Sequence, residues 1–309
     1  MDPKQLTRYI KEIGRGKNAA RDLSRGDAQT LFTAILANEI PPLQLGAILI
    51  AMRIKGESLD ELAGFLDACE ASYPHLQAPA GTVPLVIPTY NGARQLPNLT
   101  PLLASLVARA GVPVLVHGVP DDPGRVTTLE VFAAMGITPA RDVAEAEAQL
   151  AERKLAVITI DTLAPAIARV LKLRRDIGLR SSGHTLVKML QPFTTKAVRL
   201  VSVTHPEYLD RMRAFFTSYG SHALLLRGAE GEAVAHPRRE PVIEWLDGKT
   251  TEVWRAAPED HPELPDGRDA AATADWIHAV LAGKQPAPAA IRHQVECCVR
   301  AATNLCAMA

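Results

Sequence analysis

Three short apolar runs, TVPLVIP (82–88), VPVLVHG (112–118) and KLAVITI (154–160), are separated by segments of helical pattern. The first spacer, LTPLLASLVARAG (99–111), stops at Gly111. The second holds TLEVFAAMG (128–136) and AEAEAQLAE (144–152). Runs this short, apolar without alternation, belong to strands covered on both faces. A helix between successive strands makes the sheet parallel, because parallel neighbours need a crossover. AVRLVSV (197–203), ALLLRG (223–228) and PVIEWL (241–246) extend the sheet, with the helix HPEYLDRMRAFFTSYG (205–220) between the first two. Two helices, ATADWIHAVLAG (272–283) and APAAIRHQVECCVRAATNLCA (287–307), follow the acidic, proline-rich loop APEDHPELPDG (257–267).

Residues 1–75 read as helices throughout. QLTRYIKEIG is amphipathic. GDAQTLFTAILANEI offers Asp27 as a cap and places Leu31, Ile35 and Leu36 at helical spacing. Pro41 and Pro42 open LQLGAILIAMRI. Ser58 and Glu61 form a capping box ahead of LDELAGFLDACEA. Residues 163–190 turn helical again. The fold class is therefore α/β: a small helical domain plus a larger α/β domain with a mainly parallel central sheet.

The segment KLRRDIGLRSSGHTLVK (172–188) concentrates positive charge in a chain whose 34 Lys and Arg balance 34 Asp and Glu. Zero net charge excludes a general polyanion coat, so any nucleic-acid role rests on a local patch. Extended to Arg199, the segment carries Lys172, Arg174, Arg175, Arg180, Lys188, Lys196 and Arg199 against the single acid Asp176. Arg180, His184 and Lys188 are spaced by four and share a face if the segment is helical. Ser181, Ser182 and Gly183 read as a helix start, whose free N–H groups attract phosphate. A second basic run, GRGKNAARDLSRG (14–26), holds Arg15, Lys17, Arg21 and Arg25. It fits an accessory phosphate contact or an ordinary charged loop equally, and Arg94 is open in the same way. His117 reads as a structural histidine. Aromatic content of 5%, with no aromatics clustered with the basic segment, disfavours base stacking and favours backbone contacts.

Cys69, Cys297, Cys298 and Cys306 lack metal-ligand spacing and read as thiols in a reducing compartment. The start MDPKQLTRYIKEIG lacks an apolar core, and no apolar run nears the roughly 18 residues of a membrane span. A cytoplasmic protein without a membrane partner is expected.

Several segments resemble the anthranilate phosphoribosyltransferase family of type III phosphoribosyltransferases, related to nucleoside phosphorylases. GAILIAMRIKGESLDELAGF (46–65) is similar to its helix–turn–helix. NLTPLLASLVARAGVPVLVHG (98–118) resembles the run from its Asn-x-Ser-Thr phosphate site to Lys-His-Gly. IGLRSSGHTLVKMLQP (177–192) resembles its substrate segment. The resemblance implies a homodimer formed through the helical domain. It also implies a discontinuous helical domain, 1–76 with 165–192, and an α/β domain of 77–164 with 193–309. The basic segment would then lie by the inter-domain cleft.

The departures from that family bear on function. Its Gly-Thr-Gly-Gly-Asp diphosphate loop is matched by Pro88, Thr89, Tyr90, Asn91 and Gly92. Pro88 has no N–H, and Tyr90 brings bulk. Its magnesium-binding Asp-Glu pair is matched by Ala233–Val234, with Glu230 and Glu232 close by but out of register. Lys-His-Gly becomes Val116–His117–Gly118. Its Ser-Thr pair is only partly kept in Asn98–Leu99–Thr100–Pro101. In the substrate segment Asn becomes His184, and Gly-Pro becomes Val187–Lys188.

This pattern resembles the YbiB-type branch of the family, through YNGARQLPNLT, RSSGHTLVKMLQP and GAEGEAVAHP. That resemblance implies DNA or RNA binding with little sequence preference and no catalysis. The expected nucleic-acid contacts are Lys172, Arg174, Arg175, Arg180, His184, Lys188, Lys196, Arg15, Lys17 and Arg21. The expected phosphate contacts are Arg94, Asn98, Thr100, Ser181 and Ser182. No cofactor, metal or catalytic residue is expected. The residues leave two other readings open: a phosphoribosyl- or glycosyltransferase of altered substrate, and a sensor of a phosphorylated metabolite.

Overall fold

The computed structural model describes residues 1–16, 18–204, 206–255 and 263–307. Lys17 and most of the acidic loop after Arg255 lie outside them. The chain divides into two compact units, 1–74 with 163–190 and 75–162 with 191–309.

The first unit is helical. Its elements are α1 (Pro3–Ile13), α2 (Arg25–Leu36), α3 (Pro42–Lys55), α4 (Leu59–Glu70), α9 (Pro165–Lys172), α10 (Arg174–Ile177) and α11 (Gly183–Leu186); of α8 (Ile160–Leu163) only Leu163 belongs to it. The capping box of α4 forms as expected, with Glu61 N–H donating to Ser58 Oγ and Ser58 N–H donating to the Glu61 carboxylate. The cap of α2 differs from expectation. Ser24 Oγ accepts from Asp27 N–H, and the Asp27 carboxylate instead accepts from Arg8 and the Tyr9 hydroxyl. A serine three residues upstream outcompetes it because Asp27 already lies inside the helix, where its own side chain cannot reach back to cap. Phe32 and Phe65 stack at 4.8 Å in the core between α2 and α4. Gly64 permits that approach: a Cβ there would collide with the Arg25 carbonyl and the Gln29 amide.

The second unit, among its described residues, carries a seven-stranded sheet of order β3-β2-β1-β4-β5-β6-β7. The strands are β1 (Leu85–Thr89), β2 (Val114–Gly118), β3 (Leu155–Thr159), β4 (Val198–Ser202), β5 (His222–Leu226), β6 (Val242–Asp247) and β7 (Thr251–Arg255). The first five run parallel; β6 pairs antiparallel with β5, and β7 antiparallel with β6. The crossovers include α5 (Thr100–Arg109), α6 (Thr128–Ala134), α7 (Val143–Arg153) and α12 (Pro206–Ser218), and α13 (Ala270–Leu281) and α14 (Ala289–Ala307) close the chain. The parallel strands are buried almost throughout, as their unbroken apolar runs require.

Strand order reverses at the β1/β4 pair. In open parallel sheets, ligands bind in the crevice beyond the strand C-termini at such a reversal. The segment after β1, Tyr90–Pro97, and Gly228–Glu232, which follows β5, both lie at those C-terminal ends. The four cysteines are free, three of them buried. Among the described residues no helix is long and apolar enough to cross a membrane.

Candidate functional site

The loop after β1 is closed by two carboxylates of the chain itself. Glu232, 1% exposed, accepts from the N–H groups of Asn91 (2.8 Å) and Gly92 and from the Thr89 hydroxyl. Ala93 N–H donates to the Val126 carbonyl. Glu230 accepts from the N–H groups of Arg94 (2.9 Å), Gln95 (3.1 Å) and Leu96 (3.1 Å). Every backbone N–H from Asn91 to Leu96 thus has an acceptor within the chain. Burial alone would raise the Glu230 carboxyl. The three N–H donations and the Arg125 charge outweigh it and hold the carboxyl below its ordinary value.

Glu230 reaches this position from a left-handed backbone (φ 52°, ψ 19°), which non-glycine residues seldom adopt. Next to it Gly231 (φ 89°) lies so near the Asn91 side-chain amide that a Cβ would overlap it. Asn91 Nδ2–H donates to the Gly231 carbonyl.

The other residues matched to the family's phosphate and metal sites are turned inward. Tyr90 is buried, with its hydroxyl 2.6 Å from His117 Nδ1. Burial brings the His117 pKa down to about 3, so the ring is neutral, and among the described residues its Nε2 has no hydrogen-bond partner. Asn98, 1% exposed, accepts from Thr100 N–H and donates to the Val126 carbonyl. Thr100 is fully buried at the start of α5. Both residues expected as phosphate contacts, Asn98 and Thr100, are thus buried at the start of α5. Arg94 remains exposed. Ala233 and Val234 are buried and apolar, and the nearby Glu230 and Glu232 are held by N–H groups. This donor set does not fit a magnesium ion. Among the described residues no three His, Cys, Asp or Glu side chains gather as metal ligands.

In the helical unit the basic segment is folded as α9, α10 and α11 rather than as one helix. Gly178 (φ 76°) ends α10, and Arg180 and Ser181 precede α11, which has four residues. The expected common helix face of Arg180, His184 and Lys188 is therefore corrected: Arg180 and Lys188 lie outside that helix. The three are nevertheless close in charge space. Burial lowers the His184 pKa to about 4, and the positive charges of Arg180, Arg174 and Lys188 lower it further than burial alone. His184 is thus a neutral ring with three half-buried cations around it, and its Nδ1 accepts from Ser181 N–H at 3.3 Å. Lys172 and Arg175 are exposed. The buried side of the segment is Ile167, Ala168, Val170, Leu171, Leu186, Val187, Met189 and Leu190.

The remaining expected contacts divide further. Ser182, expected as a phosphate contact, is buried, and its hydroxyl donates to Glu57. Arg169, just before the basic segment, donates to the Ile35 and Leu36 carbonyls at the C-terminus of α2, where a cation suits the helix dipole. Arg15 pairs with Glu12 at 2.7 Å, and Arg21 lies 3.9 Å from the same carboxylate. Glu12 thus offsets the second basic run. Lys196 is exposed and belongs to the α/β unit. Arg199 is a core residue, 6% exposed, with its guanidinium 5.1 Å over the Phe216 ring. The clamp made by Glu230 and Glu232 was not foreseen. Its only sequence signal is AEGE: two acids about a glycine, following a strand, in a chain whose phosphate loop has lost its glycines.

Comparison with known proteins places this architecture. The helical bundle domain model of a glycosyl transferase family matches residues 7–72, and the α/β domain model of that family matches 91–298. The chain belongs to this family, in its anthranilate phosphoribosyltransferase-like group. Among relatives, the uncharacterized protein YbiB of Escherichia coli is 44% identical over 296 residues, covering 94% of this chain and 92% of its own. The anthranilate phosphoribosyltransferase of Azorhizobium caulinodans is 28% identical over 278 residues, 87% and 79% of the two chains. The crystal structure of anthranilate phosphoribosyltransferase (TrpD) from Thermus thermophilus superposes with a TM-score of 0.78 at 21% identity, covering 99% of this chain and 90% of that one. At that identity the likeness is one of fold.

Proposed function

We propose that this chain is a non-catalytic nucleic-acid-binding protein that works as a homodimer. It binds DNA or RNA through phosphate contacts and with little sequence preference. The observation that carries this reading is the group formed by Arg174, Arg180 and Lys188 around a neutral His184, with Lys172 and Arg175 exposed beside it. Cations gathered on one segment attract a polyanion, whose binding releases its own counterions. The apolar Ala233–Val234 pair and the filled loop at 91–96 support a reading without phosphoribosyl transfer. The dimer is supported by α3, whose Leu43 (87% exposed), Ala47, Ile50 and Ile54 (61% exposed) form a stripe at spacings of four, three and four. A stripe of that periodicity is what a helix presents to a partner helix.

The test is fluorescence anisotropy of a labelled single-stranded oligonucleotide at several salt concentrations. Binding should weaken with salt, with a log–log slope of roughly 0.7 per phosphate contacted. Replacing Lys172, Arg174, Arg175 and Lys188 by alanine should abolish most of the affinity and flatten that slope, while the unfolding midpoint stays near wild type. A folded variant that binds like the wild type overturns the assignment.

A further inference from the structure

We propose that the outer face of α1 is a further nucleic-acid interface: a stripe of Lys4, Arg8, Lys11 and Arg15 that contacts the sugar–phosphate backbone of a bound strand. This inference rests on the reading that the chain binds nucleic acid, but not on the segment 172–188 as the place where it does. The run PKQLTRYIKEIGR spaces the four cations by four, three and four residues. With 3.6 residues and 5.4 Å per turn, Lys4, Arg8 and Lys11 fall within about 60° of one another and along about 10 Å of the helix. All four side chains are exposed. Arg15 follows the helix end at Gly14, and its Nε–H donates to the Lys11 carbonyl at 3.2 Å, which holds the guanidinium against the last turn.

The opposite face of α1 is already occupied. Leu6, Tyr9 and Ile13 are buried in the helical unit. A basic amphipathic helix lies on a membrane when its apolar face is free to enter the bilayer. Here that face belongs to the core, so the helix offers an outside partner charge without a hydrophobic anchor. A row of charge of this kind fits a polyanion held through its phosphates.

Two of the four cations are answered within the chain. Arg8 pairs with Asp27 at 2.9 Å, and Arg15 with Glu12 at 2.7 Å. Both pairs lie at the surface, where an ion pair is worth little, so a phosphate can displace either carboxylate. Lys4 and Lys11 differ. Among the described residues neither forms an ion pair. Asp2, beside Lys4 in sequence, caps the helix and accepts from the Lys4 backbone N–H at 3.1 Å. Two positive charges are therefore left uncompensated along a groove of about 540 Å³, lined by Lys4, Thr7, Arg8, Lys11 and Arg15 among others. A lysine is a point charge on a flexible stem, and it follows a phosphate backbone without reading bases. That suits binding with little sequence preference.

The test replaces Lys4→Gln and Lys11→Gln together, which keeps most of each stem and removes both charges. In the anisotropy salt series with a long single-stranded oligonucleotide, the log–log slope should fall by about 1.4, and affinity at low salt should drop roughly tenfold. The unfolding midpoint should stay at the wild-type value. Acetylation of intact wild type, read by mass spectrometry, should show Lys4 and Lys11 protected when the oligonucleotide is bound. If wild type binds and the folded variant matches it in slope and affinity, the stripe is overturned while the nucleic-acid reading stands. A wild type that binds no oligonucleotide overturns both. Should the variant not fold, the acetylation decides, and equal labelling of both lysines with and without oligonucleotide overturns the proposal. A variant that keeps its oligonucleotide affinity but loses attachment to phosphatidylserine vesicles would assign the stripe to a lipid surface and overturn it as well.

Discussion

His184 sits among cations yet carries no charge at neutral pH. Its pKa is lowered from 6.5 to about 4, first by burial and then by Arg180, Arg174 and Lys188. Between those two values the unfolded chain takes up a proton that the folded chain refuses. Stability is therefore full above pH 6.5 and falls as the pH drops towards 4. His184 alone should cost up to about 2 kcal/mol between pH 7 and pH 5. His117, at about 3, acts in the same direction. Urea unfolding at the two pH values should show the loss, and His184→Gln should make the dependence shallower while leaving the His117 share. An unchanged dependence would mean that the ring is already solvated. The same neutrality means that a pH change from 8 to 6 should not strengthen nucleic-acid binding through this residue.

At the scale of elements, the contact between α2 and α4 depends on one missing side chain. Gly64→Ala should destabilise the protein by about 2–3 kcal/mol, because its Cβ meets backbone that cannot rotate away. Differential scanning calorimetry should register this as a clear fall in the midpoint, and an unchanged midpoint would show that the helices can separate at little cost. The parallel strands were legible from composition alone, since β1, β2 and β3 are buried on both faces and therefore apolar without interruption. Strand β7 was not. TEVWR is exposed at every position but Trp254, so it carries no run to read, and it is held by pairing with β6 through the turn at Gly248. The basic segment was legible as a concentration of charge but not as a shape. Its periodicity of four pointed to one helix, whereas Gly178 breaks the backbone in two. The anion clamp was the least legible feature, because it joins residues about 140 positions apart and is made of backbone donors, which no side-chain motif reports.

At the scale of the whole molecule, the exposed stripe of α3 carries the remaining prediction. Leu43→Asp with Ile54→Asp should yield a monomer in sedimentation equilibrium while wild type sediments as a dimer. Both side chains are exposed in the single chain, so the variant should fold with stability changed by no more than about 0.5 kcal/mol. A monomeric wild type would remove the dimer from the proposed function. The resemblance of motifs led to the right family because the order of elements survives across the chain. The same motifs gave no sign that Asn98, Thr100 and Ser182 are buried, because a polar residue reads alike in sequence whether it faces solvent or the interior.

The helical unit is written in two instalments, residues 1–74 and 163–190, with the first three parallel strands between them. During synthesis α1 to α4 leave the ribosome early, but the segment whose Arg169 holds the end of α2 arrives only after β3. Chains fold as their parts emerge. The first four helices must therefore wait, with apolar surface uncovered, while the α/β unit begins to assemble. A nascent chain halted before residue 163 should present that surface to chaperones, and one released past residue 190 should not.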